Sequence, residues 1–430
     1  MSMRVVLTGL LAAGTLLMAV APSASAHAAM PKSAVAFRDS VGVATHVGYT
    51  DTAYANWPRL VARLDELGVR HLRDGAYGDQ SPSARDYNAY VYKSIDLAAA
   101  HGIRFTFLMG GANGETGTLD QLVRVVAGRL RHATEALEAP NEFDKYVGGR
   151  NWAARLATYS RSLYRKVNAE PSLRGVPVLA PSLANPGAER RLGNLRKWFD
   201  LGNVHPYTGG LSPDPGHVRT ELADAHLVSG PKPVWATEAG FHNALGNHQA
   251  GAQPPVSEHA AAIYLLRTYL EHFSDGIDRT YAYELIDEKP DPRGRDAEQH
   301  FGLLRNDYSA KPAFKALRNL LTLVGRGDGR PRLRPLRIGV SGAGVRKLVL
   351  QKADGTYLVA LWRTASVWDA KHRRALRVAP RKVTVSLPAG ARVRLADPVA
   401  SASARRLHPR RQRVRVALGG SPLVLQVARR

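Results

Sequence analysis

ALEAPNE at residues 136–142 and VWATEAG at residues 234–240 are the two stretches that decide the fold. Each is a short apolar run that ends in a carboxylate, Glu142 in the first and Glu238 in the second, and each predicts a strand that leads into a loop. The two glutamates are 96 residues apart. If three strand–helix units separate them, each unit has about 32 residues, close to the mean for an eightfold barrel of ~250 residues.

Apolar runs of this kind recur from residue 41 to about residue 323. Eight of them predict strands, at 41–47, 69–73, 103–109, 133–139, 176–180, 202–206, 234–238 and 280–285. The stretches between them have apolar residues at helical spacing, as at 58–67, 87–100, 119–130, 152–167 and 259–273. Strands that alternate with helices predict a parallel sheet, and eight such units predict a (β/α)8 TIM barrel. A doubly wound open sheet is the alternative, but no Gly-rich phosphate turn follows the first strand.

The two ends of the chain differ from this central part. Residues 1–26 combine a positive start, an apolar run and small residues before His27, which is typical of a signal peptide. The apolar run is short for an uncleaved anchor, which is the alternative. We therefore expect a secreted protein, extracellular or associated with the cell envelope, that does not span a membrane after the signal is removed.

A Gly/Arg/Pro-rich linker at 325–331 separates residues 27–325, assigned to the barrel, from residues 332–430. The last part contains six short strand-like runs with turn residues between them, and Asp354-Gly355 is a strong hairpin signal. It predicts a small C-terminal antiparallel β-sandwich. Because the chain has no cysteine, disulfides, thiolate metal sites and cysteine nucleophiles are excluded.

The positive charge is concentrated in the predicted sandwich. Residues 331–430 carry 23 Lys and Arg against three Asp, a net charge of +20 out of +24 for the chain. One interpretation is adhesion to an anionic envelope polymer or an acidic polysaccharide. The other is an arginine-rich composition on a solvated surface, which the small share of Lys (13 of 60) favours. A specific nucleic-acid partner is not expected for an exported protein.

Carboxylates at strand ends are the main candidates for chemistry, because catalytic residues of barrel enzymes lie where the βα loops converge. Taken singly, Glu142 could begin a helix and Glu238 could begin a polar loop. Taken together, their positions and spacing favour a catalytic pair. A glycosidase that retains configuration needs two carboxyls about 5–5.5 Å apart, one protonated and one ionised. Phe143 beside Glu142 predicts partial desolvation and a raised pKa.

These residues resemble the clan A retaining glycoside hydrolases, the group that includes cellulases, mannanases and β-xylosidases. The clan has Asn-Glu after the fourth strand and Glu at the end of the seventh. The runs EQHFGLL at 298–304 and SAKPAF at 309–314 are similar to the segment after its eighth strand. The resemblance, which covers about residues 41–323, implies Glu142 as acid/base, Glu238 as nucleophile and Asn141 as a partner of the sugar 2-hydroxyl.

Two further strand ends match the clan. Arg73 ends the second predicted strand, where the clan holds an arginine that supports the nucleophile; an ion pair with Asp74 is the alternative. His205-Pro206-Tyr207 ends the sixth and resembles the clan's His-x-Tyr. His205 is expected to bind sugar or orient Glu142, with a buried structural histidine as the alternative, and Tyr207 to hydrogen-bond Glu238.

The eighth strand departs from the clan, which places a Trp there beneath the reacting sugar. Here the run is YAYEL at 281–285, so either Tyr283 stacks on the sugar or Glu284 acts as a polar ligand. Trp152 is expected to line a more distant subsite. His46, near the end of the first strand, is a weaker candidate for substrate binding.

The sequence contains no motif typical of a metal-dependent or serine-triad enzyme. There is no His-Glu-x-x-His and no Gly-x-Ser-x-Gly, and paired carboxylates need no metal, so no cofactor is expected. The sequence predicts a secreted retaining β-glycoside hydrolase that acts on an O-glycosidic bond of a polysaccharide or oligosaccharide. The alternative is a non-catalytic carbohydrate- or envelope-binding protein on the same scaffold.

Overall fold

The computed structural model describes residues 27–78, 81–110, 116–249 and 253–428, so the predicted signal peptide at 1–26 lies outside the described residues. The first ten strands are β1 (His27–Ala29), β2 (Lys32–Ser33), β3 (Val41–Ala44), β4 (His71–Gly75), β5 (Arg104–Leu108), β6 (Thr134–Glu138), β7 (Val178–Leu179), β8 (Gly202–Val204), β9 (Val234–Ala239) and β10 (Ile277–Ala282). The α-helices are α1 (Ala34–Asp39), α2 (Trp57–Leu67), α3 (Arg85–Ala100), α4 (Leu119–Ala127), α5 (Phe143–Tyr146), α6 (Trp152–Ala169), α7 (Ala188–Leu192), α8 (Pro215–Ser229), α9 (Glu258–Asp275) and α10 (Pro312–Val324).

Strands β3 to β10 form one parallel sheet in the order β7-β6-β5-β4-β3-β10-β9-β8. A parallel bridge between Leu179 and Leu201 joins its two ends and closes the barrel. Each of the eight predicted runs contains or overlaps one of these strands, and the predicted (β/α)8 barrel is confirmed. All the catalytic candidates lie at the carboxyl ends of these strands or in the loops that follow them.

Local signals fix the helix ends as the sequence indicates. The side chain of Asn56 accepts a hydrogen bond from the Arg59 amide at the start of α2, and Gly68 ends that helix at a left-handed φ of 84°. Thr118 and Gln121 form a reciprocal capping box at the start of α4. Each cap satisfies amides or carbonyls that a helix end leaves without partners, so short amphipathic stretches stop at defined residues.

The C-terminal strands are β11 (Leu336–Val340), β12 (Arg346–Gln351), β13 (Tyr357–Trp362), β14 (Trp368–Asp369), β15 (Arg374–Ala375), β16 (Arg381–Ser386), β17 (Arg392–Ala396), β18 (Arg405–Leu407), β19 (Arg413–Leu418) and β20 (Leu423–Ala428). They form a sheet in the order β1-β11-β16-β19, a second in the order β18-β17-β20-β13-β12-β2, and the β14–β15 hairpin. The apolar faces of the two larger sheets share one core, as expected for the predicted sandwich.

Residues 27–33 correct the predicted domain assignment. They were assigned to the barrel, but His27 pairs with Ile338 in one sandwich sheet and Lys32 pairs with Leu350 in the other. An edge strand can accept a pairing partner from a distant part of the chain, and two or three residues carry no pattern that shows which edge they join.

The barrel and the sandwich also share side-chain contacts. Glu271 on α9 accepts hydrogen bonds from Trp362 Nε1 at 2.6 Å and from Arg346 Nη2 at 2.8 Å. Apolar residues of β12 and β13, including Leu348 and Leu358, pack into the same buried cluster as the barrel helices. Among the described residues, no helix is long and apolar enough to cross a membrane.

Candidate active site

Glu238, near the end of β9, is held by two donors. Arg73 Nη1 lies 2.6 Å from its Oε1, and the Tyr207 hydroxyl donates to its Oε2 at 2.8 Å. The contacts expected of Arg73 and Tyr207 are therefore present. The alternative pair of Arg73 with Asp74 is not formed, because Asp74 Oδ2 accepts from Thr45 Oγ1 at 2.6 Å and faces away. Two donors on one buried carboxylate fix its position and orientation.

A second buried carboxylate, Glu138, positions Arg73 and was missed by the sequence reasoning. Arg73 Nε and Nη2 lie 2.7 and 2.9 Å from its two oxygens, and Asn203 Nδ2 donates to Oε1 at 3.0 Å. Glu138 has no exposed surface. A bidentate ion pair fixes the plane of the guanidinium and therefore the direction in which it meets Glu238. A charged residue at the end of an apolar barrel strand was the signal that could have revealed it.

Glu142, four residues beyond β6, sits on a strained backbone. Its φ and ψ are 40° and 41°, in the left-handed region that residues other than glycine rarely adopt. Its amide donates to the Ser182 carbonyl at 3.1 Å, which anchors this conformation. Strained residues persist where surrounding contacts hold them, and they cluster at functional sites.

The electrostatics of Glu142 differ from the expectation. Burial raises the pKa of its carboxyl, but the hydrogen bond and charge of His205, together with Lys145, outweigh burial and lower the pKa to about 2. His205 Nδ1 lies 3.0 Å from Oε1, and Lys145 Nζ lies 3.0 Å from Oε2. The predicted rise in pKa beside Phe143 is therefore wrong. His205, from the loop after β8, and Lys145, one turn along α5 from Glu142, reverse its sign, and neither entered the local sequence argument.

A chain of hydrogen bonds fixes which nitrogen of His205 carries a proton. The Thr237 hydroxyl lies 2.8 Å from Asn203 Oδ1 and 3.1 Å from Glu138 Oε1, and both are acceptors. The single hydroxyl hydrogen of Thr237 points to these two acceptors. The Thr237 oxygen can therefore accept a hydrogen bond from His205 Nε2, which lies 3.0 Å away. Nδ1 of the neutral ring then faces Glu142 without a proton. The Glu142–His205 pair can therefore hold one proton and pass it between its two members.

Glu142, His205 and Glu238 form one compact group. One side-chain donor atom from each residue lies within 4.8 Å of the other two. His205 Nδ1 is 3.6 Å from Glu238 Oε2, so the imidazole lies between the two carboxylates. Such a group could also hold a metal ion, but all three side chains already have ionic partners within the protein.

The remaining candidates fall into two groups. Asn141 lies in the site, where its Oδ1 accepts from Arg73 Nη2 at 2.7 Å and Ser182 Oγ at 3.1 Å, so the amide presents its NH2 group. Trp152 does not lie in the site, because its side chain is 3% exposed and packs in the core under Arg191. The expectation that Trp152 lines a sugar subsite is wrong, because the first turn of α6 turns its ring inward.

The residues after β10 border the site. The Tyr283 hydroxyl donates to Glu298 at 3.1 Å, and its ring meets those of His46 and Phe301 edge to face. The Tyr283–Glu284 peptide bond is cis. Glu284 has no exposed surface and lies 3.4 Å from His46 Nε2. A sugar cannot touch Glu284 directly in this arrangement.

Comparison with known proteins supports the fold. No protein-family model and no curated protein sequence matches the chain. Among solved structures, a monomeric β-xylosidase from Caulobacter crescentus CB15 matches with a TM-score of 0.60 and 13% identity, over 94% of this chain and 98% of that one. The shared fold is a (β/α)8 barrel followed by a C-terminal β-sandwich. The likeness covers both the barrel and the sandwich, and at this identity it concerns the fold alone.

Two further matches cover less of the chain. A glycoside hydrolase family 17 β-1,3-glucanosyltransferase from Rhizomucor miehei has a TM-score of 0.47 and 17% identity, over 63% of this chain and 95% of its own. A β-glucuronidase from Bifidobacterium dentium has a TM-score of 0.46 and 17% identity, over 66% of this chain and 46% of its own.

Proposed function

We propose that the protein is a secreted retaining β-glycoside hydrolase that cleaves an O-glycosidic bond of a polysaccharide or oligosaccharide. The observation that carries the proposal is the close approach of Glu142 and Glu238, with oxygens within 4.8 Å of each other. Enzymes that retain configuration hold their carboxyls about 5–5.5 Å apart, whereas inverting enzymes need about 6.5–9.5 Å to admit a water. The short separation supports retention.

In the first step, Glu238 attacks the anomeric carbon and forms a glycosyl ester. Arg73 and Tyr207 hold this carboxylate in place and aim it at the sugar. The bond to the leaving oxygen breaks, and that oxygen takes the proton that Glu142 and His205 share. Because His205 can return a proton to Glu142 across a 3.0 Å hydrogen bond, a carboxyl that is ionised in the free protein can still act as the acid.

In the second step, water attacks the same carbon from the side that the leaving group vacated. Glu142 takes a proton from this water, and the bond between the sugar and Glu238 breaks to restore the carboxylate. The Asn141 amide supplies an NH2 donor beside Glu238 for the sugar 2-hydroxyl. The ring of Tyr283 takes the place of the clan's Trp beneath the sugar, where an aromatic face packs on the sugar's C–H groups.

The basic sandwich supports a second part of the proposal, binding of an anionic polymer. On the outer face of the β1-β11-β16-β19 sheet, Arg413 and Arg415 are exposed and pair across the strands with Ser386 and Thr384. Arg337 and Lys382 are exposed on neighbouring strands. This outer face carries several exposed basic side chains, so it would attract polyanions in the envelope or the substrate.

The test of the catalytic proposal begins with a panel of aryl β-glycosides and polysaccharides, on which the protein should turn over at least one. Glu238→Ala should then abolish turnover, and added azide should restore part of it and give a glycosyl azide of inverted anomeric configuration. The matched control is Glu170→Ala, between α6 and β7 at the opposite end of the barrel, which should keep full activity. Full activity of Glu238→Ala would refute the assignment, and no turnover of any substrate would favour the carbohydrate-binding alternative.

A further inference from the structure

A second cluster of ionisable groups lies beside the site, between the ends of β3 and β10. His46 follows β3, and Glu284 and Glu288 follow β10. One donor atom from each of the three side chains lies within 4.8 Å of the other two. The proposed hydrolysis uses none of these three groups as acid, base or nucleophile.

The cluster lacks the partners that buried polar groups require. Glu284 has no exposed surface; its Oε2 accepts from Tyr54 at 2.7 Å, while its Oε1 has no hydrogen-bond partner among the described residues. His46 Nε2 is also buried and lies 3.4 Å from Glu284 Oε2 outside hydrogen-bond geometry. A buried polar group without a partner costs about 1–3 kcal/mol, and more when it is charged.

The cluster consists of two carboxyl groups and one imidazole and contains no Lys or Arg. In the part of the chain that the structure describes, no Lys or Arg forms a salt bridge with Glu284 or Glu288. An imidazole and two carboxyl groups without a Lys or Arg partner are groups that a metal ion binds.

We propose that His46, Glu284 and Glu288 bind one divalent transition-metal cation, for which Zn²⁺ is the best fit. Zinc takes imidazole nitrogen and carboxylate oxygen at about 2.0–2.2 Å in tetrahedral geometry, so its ligand atoms lie about 3.4 Å apart. His46 Nε2 and Glu284 Oε2 already have this spacing at 3.4 Å, and the Glu288 side chain, within 4.8 Å of both residues, needs to move closer to complete the set. Calcium and magnesium prefer all-oxygen sites, and the imidazole therefore selects against them.

The surroundings of the cluster suit a metal site. The Tyr54 hydroxyl orients Glu284 from outside, as outer hydrogen bonds orient metal ligands. The Glu288 carbonyl accepts from the Ala53 amide at 2.9 Å and from Asn306 Nδ2 at 2.8 Å, which fixes the backbone that carries this ligand. Three protein ligands leave the fourth position of the cation open to water or to a substrate hydroxyl. Through the cation, the fully buried Glu284 would contact a substrate in the site indirectly.

The test is zinc binding to the full protein after removal of metals with EDTA, by isothermal titration calorimetry and by metal analysis after dialysis. We expect one Zn²⁺ per chain and a raised Tm. Glu288→Gln and His46→Ala should each weaken zinc binding at least tenfold. The matched control Glu298→Gln removes a nearby charge that is not a ligand, and it should bind within threefold of the parent.

Glu238→Gln separates this cluster from the catalytic carboxylates, and its zinc affinity should be unchanged. The proposal is overturned if the parent protein binds no zinc at micromolar concentration. It is also overturned if Glu298→Gln weakens binding as much as Glu288→Gln, if Glu238→Gln abolishes binding, or if calcium binds more tightly than zinc. Because none of these measurements uses glycoside turnover, their outcome is independent of the proposed hydrolase activity.

Discussion

Replacing His205 with Phe tests whether the imidazole keeps the Glu142 carboxyl ionised. Burial alone raises the pKa of Glu142, and His205 is the largest of the groups that lower it to about 2. The two side chains are 2% and 9% exposed, so water screens their 3.0 Å contact little. A hydrogen bond to a charged group contributes about 1.5–3 kcal/mol, and one pH unit corresponds to ~1.36 kcal/mol. We therefore expect the pKa of Glu142 to rise by about one to two.

The assay is an NMR titration of protein labelled with ¹³C at the glutamate carboxyl carbons. The chain has 14 glutamates, and the signal that disappears in Glu142→Gln assigns the resonance. Lys145→Met is the matched control: it should move the pKa in the same direction but less, because the Lys145 side chain is 52% exposed and solvent screens its charge. An unchanged or lower pKa in His205→Phe would refute the reasoning, as would a larger effect of Lys145→Met.

The same shift predicts how stability depends on pH. Because the folded-state pKa of Glu142 lies below its usual 4.5, the ionised carboxyl stabilises the fold above pH 4.5, and this contribution is lost as the pH falls towards 2. His205→Phe removes much of the shift. The variant should therefore lose less free energy of unfolding between pH 4.5 and 2 than the parent, as measured by urea denaturation, and an equal loss would contradict the assigned cause.

Three further predictions concern chemistry, binding and stability. Glu142→Ala should keep far more activity on a dinitrophenyl β-glycoside, whose leaving group needs no acid, than on a natural linkage; equal losses would indicate a structural role. Reversal of the arginine charges at 405–406 and 410–413 should reduce retention of the protein on anionic polysaccharides but not on neutral ones, and retention should then depend less on salt. Unchanged retention would leave arginine-rich composition as the explanation. Glu271→Ala should lower the free energy of unfolding by about 1–3 kcal/mol in calorimetry, because it leaves the buried Trp362 indole without an acceptor, while Arg346 keeps its contact with Asp275. A loss under ~0.5 kcal/mol would show that this contact does not hold the barrel and sandwich together.

The sequence alone determined the barrel and the positions of its two central carboxylates. Hydrophobic periodicity is local, and so are helix caps such as Gly68, so eight strand runs could be located without coordinates. Once the runs are taken as parallel barrel strands, their carboxyl ends must meet at one face. Glu142 and Glu238 were placed together by this argument, and Arg73 and His205 followed from the resemblance.

The tertiary structure decided the environment of each group. Glu142 has a lowered pKa because His205 reaches it from the loop after β8 and Lys145 from the next turn of its own segment. The burial of Trp152 depends on how α6 packs. Residues 27–33 joined the sandwich because two sheet edges were open to them.

The cluster of His46, Glu284 and Glu288 could not be found from spacing, since His46 precedes the two glutamates by more than 230 residues of chain. His46 follows β3, the first strand of the barrel, and the two glutamates follow β10, the last. These two strands become neighbours only when the sheet closes into a barrel. Local sequence fixes which residues end a strand. Distances between side chains on different strands, and the charges that each one senses, depend on closure and packing, which are properties of the whole chain.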